Sequence, residues 1–155
     1  MSTKNDIDKL ADAMTFLVRS MHRPRAWEEI VKRAGVELDR PGVAILHSLA
    51  LCSKEQAKCN VQYLAHHLGV EAPSVSRKIQ ELEQDKFIDR SVDPQDKRAV
   101  VLKLTAKGSK VLERIQRAKR DALTAQLRHW DTKDRQQFVE LFYRFAHDMN
   151  QDQPL

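Results

Sequence analysis

Polar side chains that can hydrogen-bond to a nucleic acid alternate with apolar residues in one short stretch of the chain. Val75, Ile79 and Leu82 have the spacing of the buried face of a helix. The polar residues between them are Ser74, Ser76, Arg77, Lys78 and Gln80. A core needs none of these, whereas an arginine can fork onto the O6 and N7 atoms of a guanine. The pattern predicts a helix that presents a hydrogen-bonding face to another molecule.

The elements around this helix would position it for reading DNA. A first short helix is predicted from the apolar residues Val61, Leu64, Ala65 and Leu68, and it ends at a Gly69-Val70 turn. The second helix opens at residues 71–74. A β-hairpin follows, entered at 87–88, with its tip at 93–98 and its returning strand at 100–104. Helix, turn, helix and β-wing make a winged helix-turn-helix, whose second helix enters the major groove.

The same residues carry a family resemblance. The run from Leu64 to Arg77 resembles the helix-turn-helix of the MarR family of bacterial transcription regulators. The similarity continues through residues 82–88, the wing sequence Asp-Pro-Gln-Asp-Lys-Arg at 93–98, and residues 104–108. Several linked motifs in the right order are more specific than a helix-turn-helix match alone.

This resemblance implies a set of DNA-binding residues. Arg98 resembles the family's minor-groove arginine, and Asp96 resembles the acidic residue that holds it. A narrow A·T-rich minor groove attracts such a guanidinium. Arg77 is the candidate for a base contact, with an ion pair to Glu81 one turn later as the plain alternative. The predicted DNA-binding set is Pro73, Ser74, Ser76, Arg77, Lys78, Gln80, Asp96, Lys97 and Arg98.

Composition and charge narrow the class of protein. The 155 residues suit one domain, and the net charge is +5. Residues 61–104 contain seven basic and seven acidic residues, so side-chain placement rather than net charge must carry DNA binding there. No apolar stretch approaches a membrane span, and the N-terminus lacks a signal peptide's hydrophobic segment, which predicts a cytoplasmic protein without a membrane partner.

Long amphipathic helices are predicted on both sides of the module. Apolar residues recur from Ile7 to Met21, Pro24 should end or kink that helix, and another helix should start near Pro41. After the wing, a helix capped by Thr105 should run to Trp130. A last helix capped at Asp131 should carry an aromatic stripe comprising Phe138, Leu141, Phe142, Phe145 and Met149.

These apolar stripes exceed what a compact winged helix can cover, which favours a homodimer with two reading heads on successive major grooves. The plain alternative is that the helices fold back on their own chain as a monomeric bundle. The predicted fold is mainly α with a small β-wing, a single MarR-like domain over 1–155. Its winged helix-turn-helix is placed at 41–104 and its dimerisation helices at 1–34 and 105–150.

Other residue types give weaker signals. Some relatives sense oxidants through cysteine, which makes Cys52 and Cys59 redox candidates, although both suit a core equally well. The histidines and cysteines lack zinc-site spacing, so neither a metal nor a cofactor is expected. A small-molecule effector would bind between the dimer helices and the module. Its candidate residues, each equally explained as core, are Met14, Met21, His22, Trp27 and Trp130.

The sequence thus predicts a homodimeric regulator, most simply a repressor, that binds a pseudo-palindromic operator in double-stranded DNA. A small molecule or an oxidant would release it. The alternative is a winged-helix protein-interaction module without sequence-specific DNA binding, since fold alone does not settle function. An enzyme is not expected, because phosphate-loop, nucleophile-elbow and metal motifs are missing from the sequence.

Overall fold

The structure is a computed structural model that describes residues 2–55, 57–93 and 100–151. Two helices precede the predicted module, and two follow it. The elements in chain order are α1 Ser2–Met21, α2 Pro24–Ala34, α3 Arg40–Lys54, α4 Val61–Leu68, α5 Ala72–Gln84, β1 Ile88–Val92, β2 Val100–Leu104, α6 Ala106–Gln126 and α7 Thr132–Gln151. The mainly α fold with a small β-wing is confirmed.

Local sequence signals account for the helix ends. Gly35 and Gly69 end α2 and α4 in the left-handed conformation, at φ values of 60° and 64° that glycine adopts without strain. Side-chain oxygens cap the helices that begin after loops, by accepting a hydrogen bond from a first-turn amide. The capping residues are Asp39 for α3, Asn60 for α4, Thr105 for α6 and Asp131 for α7.

One apolar core joins the helix-turn-helix to the hairpin and to the first half of α6. Leu46 of α3, Leu64 of α4, Ile79 of α5 and Ile115 of α6 are fully buried. Removing these side chains from water is the main favourable contribution to folding. The recognition helix therefore rests on a core that this single chain completes.

The wing is a two-stranded antiparallel hairpin, in which Ile88 pairs with Leu104 and Val92 with Val100. The loop before α4 lies beside it, because the amide of Leu102 donates to the carbonyl of Cys59 at 2.9 Å. The hairpin is thereby tied to the segment that leads into the helix-turn-helix.

The chain divides into two compact units, Met1–Ala118 and Lys119–Leu155. The second holds the end of α6 and all of α7. The predicted run of α6 through Leu127 to Trp130 is wrong, because the helix ends at Gln126 and both residues lie in the following turn. The chain must leave the helix there, since Asp131 caps α7. Among the described helices, none has the length and apolarity to cross a membrane.

Candidate nucleic-acid interface

The outer face of α5 carries the predicted reading residues. Val75, Ile79 and Leu82 face the core at 2% exposure or less. Pro73 and three of the polar candidates are exposed, whereas Ser76 and Lys78 are half-buried. The exposed ones are Pro73, Ser74, Arg77 and Gln80. Residues three apart on a helix are neighbours, so Ser74, Arg77 and Gln80 form one row.

Arg77 forms no ion pair within the described part of the chain, and the alternative pairing with Glu81 is wrong in this structure. Glu81 instead accepts a hydrogen bond from Lys78. The guanidinium of Arg77 is therefore available to a ligand. It is the one basic group of α5 whose charge no carboxylate among the described residues offsets.

Lys78 is placed differently from the sequence-based expectation that it is an exposed cation. Its ammonium donates to Asp39 at 2.8 Å and to Glu81, and its side chain is 22% exposed. The hydrogen bond to Asp39, then that to Glu81, raises the pKa of Lys78 above its usual value. Asp39 also caps α3, so Lys78 links the recognition helix to that helix's start.

The start of α5 has an unusual arrangement. Glu71 occupies the N-cap position without a side-chain cap, and Pro73 lies in the first turn, where the missing amide hydrogen costs nothing. Neither Ser74 nor Ser76 occupies the N-cap position of this helix. The Ser74 hydroxyl therefore remains exposed beside the first-turn amides, groups that commonly bind phosphates.

The wing is anchored by charges that sequence reasoning missed. Arg90 of β1 donates twice to Glu83 of α5, at 2.9 and 3.0 Å, and this hydrogen bonding raises the pKa of Arg90. The ammonium of Lys58 lies 2.6 Å from a carboxylate oxygen of Asp93, the residue that follows β1. Lys58 and Asp93 are distant in sequence, and Glu83 and Arg90 belong to different elements, so periodicity gave no signal. The predicted wing residues Asp96, Lys97 and Arg98 lie outside the described residues.

The two cysteines are buried neighbours in the module core. Cys52 and Cys59 are free thiols at 2% and 1% exposure. Burial, with a smaller contribution from Cys52, raises the pKa of Cys59. A hydrogen bond with Cys52 is the main cause that raises the pKa of Tyr63. Burial disfavours the thiolate, the reactive form in oxidation, so this environment favours the core interpretation.

The effector candidates occupy different settings. Met14, Met21 and His22 are exposed, which contradicts a core position for them within this chain. The physical reason is that α1, which holds both methionines and ends directly before His22, has an apolar face that the chain leaves open. Trp27 is half-buried against the core and donates to the Leu38 carbonyl at 3.2 Å. Trp130, in the second unit, is 43% exposed, with its ring 5.1 Å from that of Phe138. Effector binding by these residues stays a prediction.

The sequence profile of the MarR family matches residues 44–100, from within α3 to the start of β2. The Bacillus subtilis protein YxaD, an uncharacterised HTH-type transcriptional regulator, is 26% identical over 144 residues, which cover 93% of this chain and 95% of that protein. Over residues 44–100 the chain is therefore similar to the MarR family, and YxaD is similar to it over nearly its whole length.

Solved structures of MarR family members have the same fold. One from Bacillus stearothermophilus superposes with a TM-score of 0.79 over 97% of this chain and 99% of its own, at 15% identity. A mutant of S. aureus MepR bound to an oligodeoxyribonucleotide gives 0.60 over 88% and 97%, at 20% identity. MepR bound to ethidium bromide gives 0.59 over 87% and 95%, at 19% identity. These similarities show that the chain has the winged-helix fold of these proteins.

Proposed function

We propose that this protein is a homodimeric repressor of the MarR family that binds a pseudo-palindromic operator in bacterial cytoplasm. Residues 41–104 would read double-stranded DNA, and residues 1–34 and 105–150 would form the dimer. The observation that carries this proposal is the outer face of α5. Its exposed polar row, Ser74, Arg77 and Gln80, is backed by a buried apolar row of the same helix.

The chemistry of that row suits base edges and phosphates. The serine hydroxyl and the glutamine amide both donate and accept, and glutamine can pair with the N6 and N7 atoms of adenine. Arg77 adds a charge that the described carboxylates leave unpaired, and its planar fork matches guanine. A protein-docking surface would not require this combination of short hydroxyls and a free guanidinium.

Exposed apolar faces support the dimer. Along α1, large apolar side chains are 37–67% exposed, and along α7 they are 40–74% exposed. Contiguous apolar surface of this kind usually marks a protein interface. A two-fold axis between copies would place two α5 helices on successive major grooves, with half-site centres about 34 Å apart.

Release from the operator would follow the binding of a small molecule or the action of an oxidant. MepR, a structural neighbour, binds both an oligodeoxyribonucleotide and ethidium bromide. An effector needs only a different affinity for the DNA-competent and DNA-incompetent states. The residues proposed for effector binding are Met14, Met21, His22, Trp27 and Trp130.

The test compares Arg77 with Lys78, its neighbour on α5. Binding is measured to a duplex selected from the organism's genome and to a scrambled duplex, across a salt series. Arg77→Ala should cost about 1–3 kcal/mol of operator binding per contacted guanine and relax specificity at one position in each half-site. Lys78→Met should leave specificity and salt slope nearly unchanged, because its ammonium is already paired with Asp39 and Glu81.

Two outcomes would contradict parts of this proposal. A salt slope reduced by about one per half-site in Lys78→Met would mean that Lys78 exchanges its carboxylates for a phosphate. A wild-type protein that does not distinguish selected from scrambled duplex would overturn sequence-specific binding and favour the protein-interaction module.

A further inference from the structure

The carboxylate of Asp93 is buried at the point where the hairpin ladder stops. Its side chain is 3% exposed, and one of its oxygens lies 2.6 Å from the ammonium of Lys58, whose own side chain is 58% exposed. An ionised carboxylate is costly to bury without a nearby cation. Lys58 therefore makes it possible for Asp93 to turn inward at this position.

The place of Asp93 in the hairpin gives the pair its geometry. Val92 and Val100 are the last residues paired across the two strands, and Asp93 follows Val92 directly. The ion pair thus fixes the backbone at the first residue after β1 stops pairing with β2. A change in this contact would therefore act where the two strands stop pairing, and not on the paired residues themselves.

The two residues after Lys58 form hydrogen bonds with two other elements. The carbonyl of Cys59 accepts from the Leu102 amide of β2 at 2.9 Å. The side chain of Asn60 accepts from the Tyr63 amide at 2.9 Å and caps α4. Three consecutive residues, 58–60, therefore contact the end of β1, the middle of β2 and the first helix of the helix-turn-helix.

A second link fixes the hairpin at another point. Arg90, three residues before Asp93 and thus about 10 Å along the strand, holds Glu83 of α5 through two hydrogen bonds. The Cys59–Leu102 hydrogen bond lies at the same level of the ladder as Arg90, because Leu102 pairs with Arg90. Links at one level leave a hairpin free to tilt, whereas links at two levels set a direction. The Lys58–Asp93 pair supplies the link at the second level, next to the end of the ladder.

We propose that Lys58 and Asp93 are positioning residues that orient the wing relative to α5 and so determine how strongly the protein prefers A·T-rich flanks. This inference rests on the proposed function, because it concerns reading by the same DNA-binding module. Neither residue need contact DNA. Their effect would pass through the hairpin to Arg98, the proposed minor-groove residue, which comes between β1 and β2 in the sequence.

The experiment uses the 155-residue protein and four variants. Lys58→Met combined with Asp93→Asn removes the ion pair without leaving a buried charge unpaired. Lys58→Arg keeps the cation and serves as the rescue. Each protein is titrated against one operator core with either A·T-rich or G·C-rich flanks, and unfolding temperatures are recorded. The third variant is Arg98→Ala, and the fourth combines it with the double substitution.

The double substitution should lower the ratio of affinities for A·T over G·C flanks by about threefold or more, while Lys58→Arg retains the wild-type ratio. In the Arg98→Ala background the double substitution should cause little further loss, because both changes would act through the same contact. A purely structural role would lower the unfolding temperature without changing this ratio.

An unchanged flank ratio in the double variant would overturn the inference. So would a loss of the same size in the presence and absence of Arg98, since the pair would then act by another route. Both results leave the proposed function standing so long as the wild type discriminates operator from scrambled duplex. Failure of that discrimination would overturn the proposed function itself.

Discussion

The recognition helix α5 and the last helix α7 differ in how far their apolar side chains are buried. In α5, Val75, Ile79 and Leu82 are buried to 2% exposure or less. In α7, Phe138 and Phe142 remain 40% and 47% exposed. Both helices are amphipathic, so the difference lies in what each packs against. The reading module completes its core within one chain, whereas α7 leaves apolar surface for another surface to cover.

Local contacts in the second unit do not remove this exposure. The ring of Phe138 lies 5.1 Å from that of Trp130 and 5.5 Å from that of Phe142. Such aromatic pairs are modestly stabilising, but a row along one helix still leaves the outer faces of the rings in water. The free energy of unfolding of the reading module should therefore not depend on protein concentration. The burial of the apolar face of α7 should depend on it, because a second copy would cover that face.

The largest expected effect is in the module core. Ile79→Ala should lower the free energy of unfolding by about 2–5 kcal/mol, because it removes a fully buried side chain and leaves a cavity. Denaturant unfolding at several protein concentrations measures this loss. The loss in unfolding free energy should be the same at every protein concentration if the core belongs to one chain. Gln80→Ala, at an exposed neighbouring position, is the matched control and should change stability by less than about 0.5 kcal/mol.

A smaller effect is expected on the aromatic stripe of α7. Phe142→Ala should weaken self-association by about 10- to 100-fold, since it removes apolar area that a second copy would cover. Sedimentation across a concentration series measures the change. Tyr143→Ala is the matched control, because Tyr143 lies on the same helix but is not part of the aromatic stripe. A wild-type protein that stays monomeric at micromolar concentration would contradict the dimer and remove the contrast between the regions.

The smallest effect concerns the buried thiols. Cys52 and Cys59 should react slowly with an alkylating reagent at about pH 8 and fully after unfolding, because burial excludes the reagent and disfavours the Cys59 thiolate. Phe142→Ala should leave this rate unchanged, since the module core closes without a partner. Peroxide that abolished DNA binding in the wild type but not in a Cys52→Ala variant would instead identify a redox switch.

Much of the fold follows from local signals in the sequence. Gly35 and Gly69 mark helix ends, Thr105 and Asp131 mark helix starts, and the apolar spacing of α5 separates its buried row from its polar row. Each signal acts within about one helical turn, so it can be read without knowing the neighbours. The exposed positions of Ser74, Arg77 and Gln80 were predictable for the same reason.

Contacts between distant residues required the tertiary structure. Lys78 and Arg77 are adjacent basic residues in the sequence. Lys78 forms an ion pair with Asp39, 39 residues away, whereas Arg77 has no carboxylate partner among the described residues. The pair of Lys58 with Asp93 has the same origin. Hydrophobic periodicity records which side of a helix is buried, but the partner of a charge depends on where the chain returns in space. The sequence by itself determined the elements and the polar face of α5, and the tertiary fold decided which charges of that face remain available to a ligand.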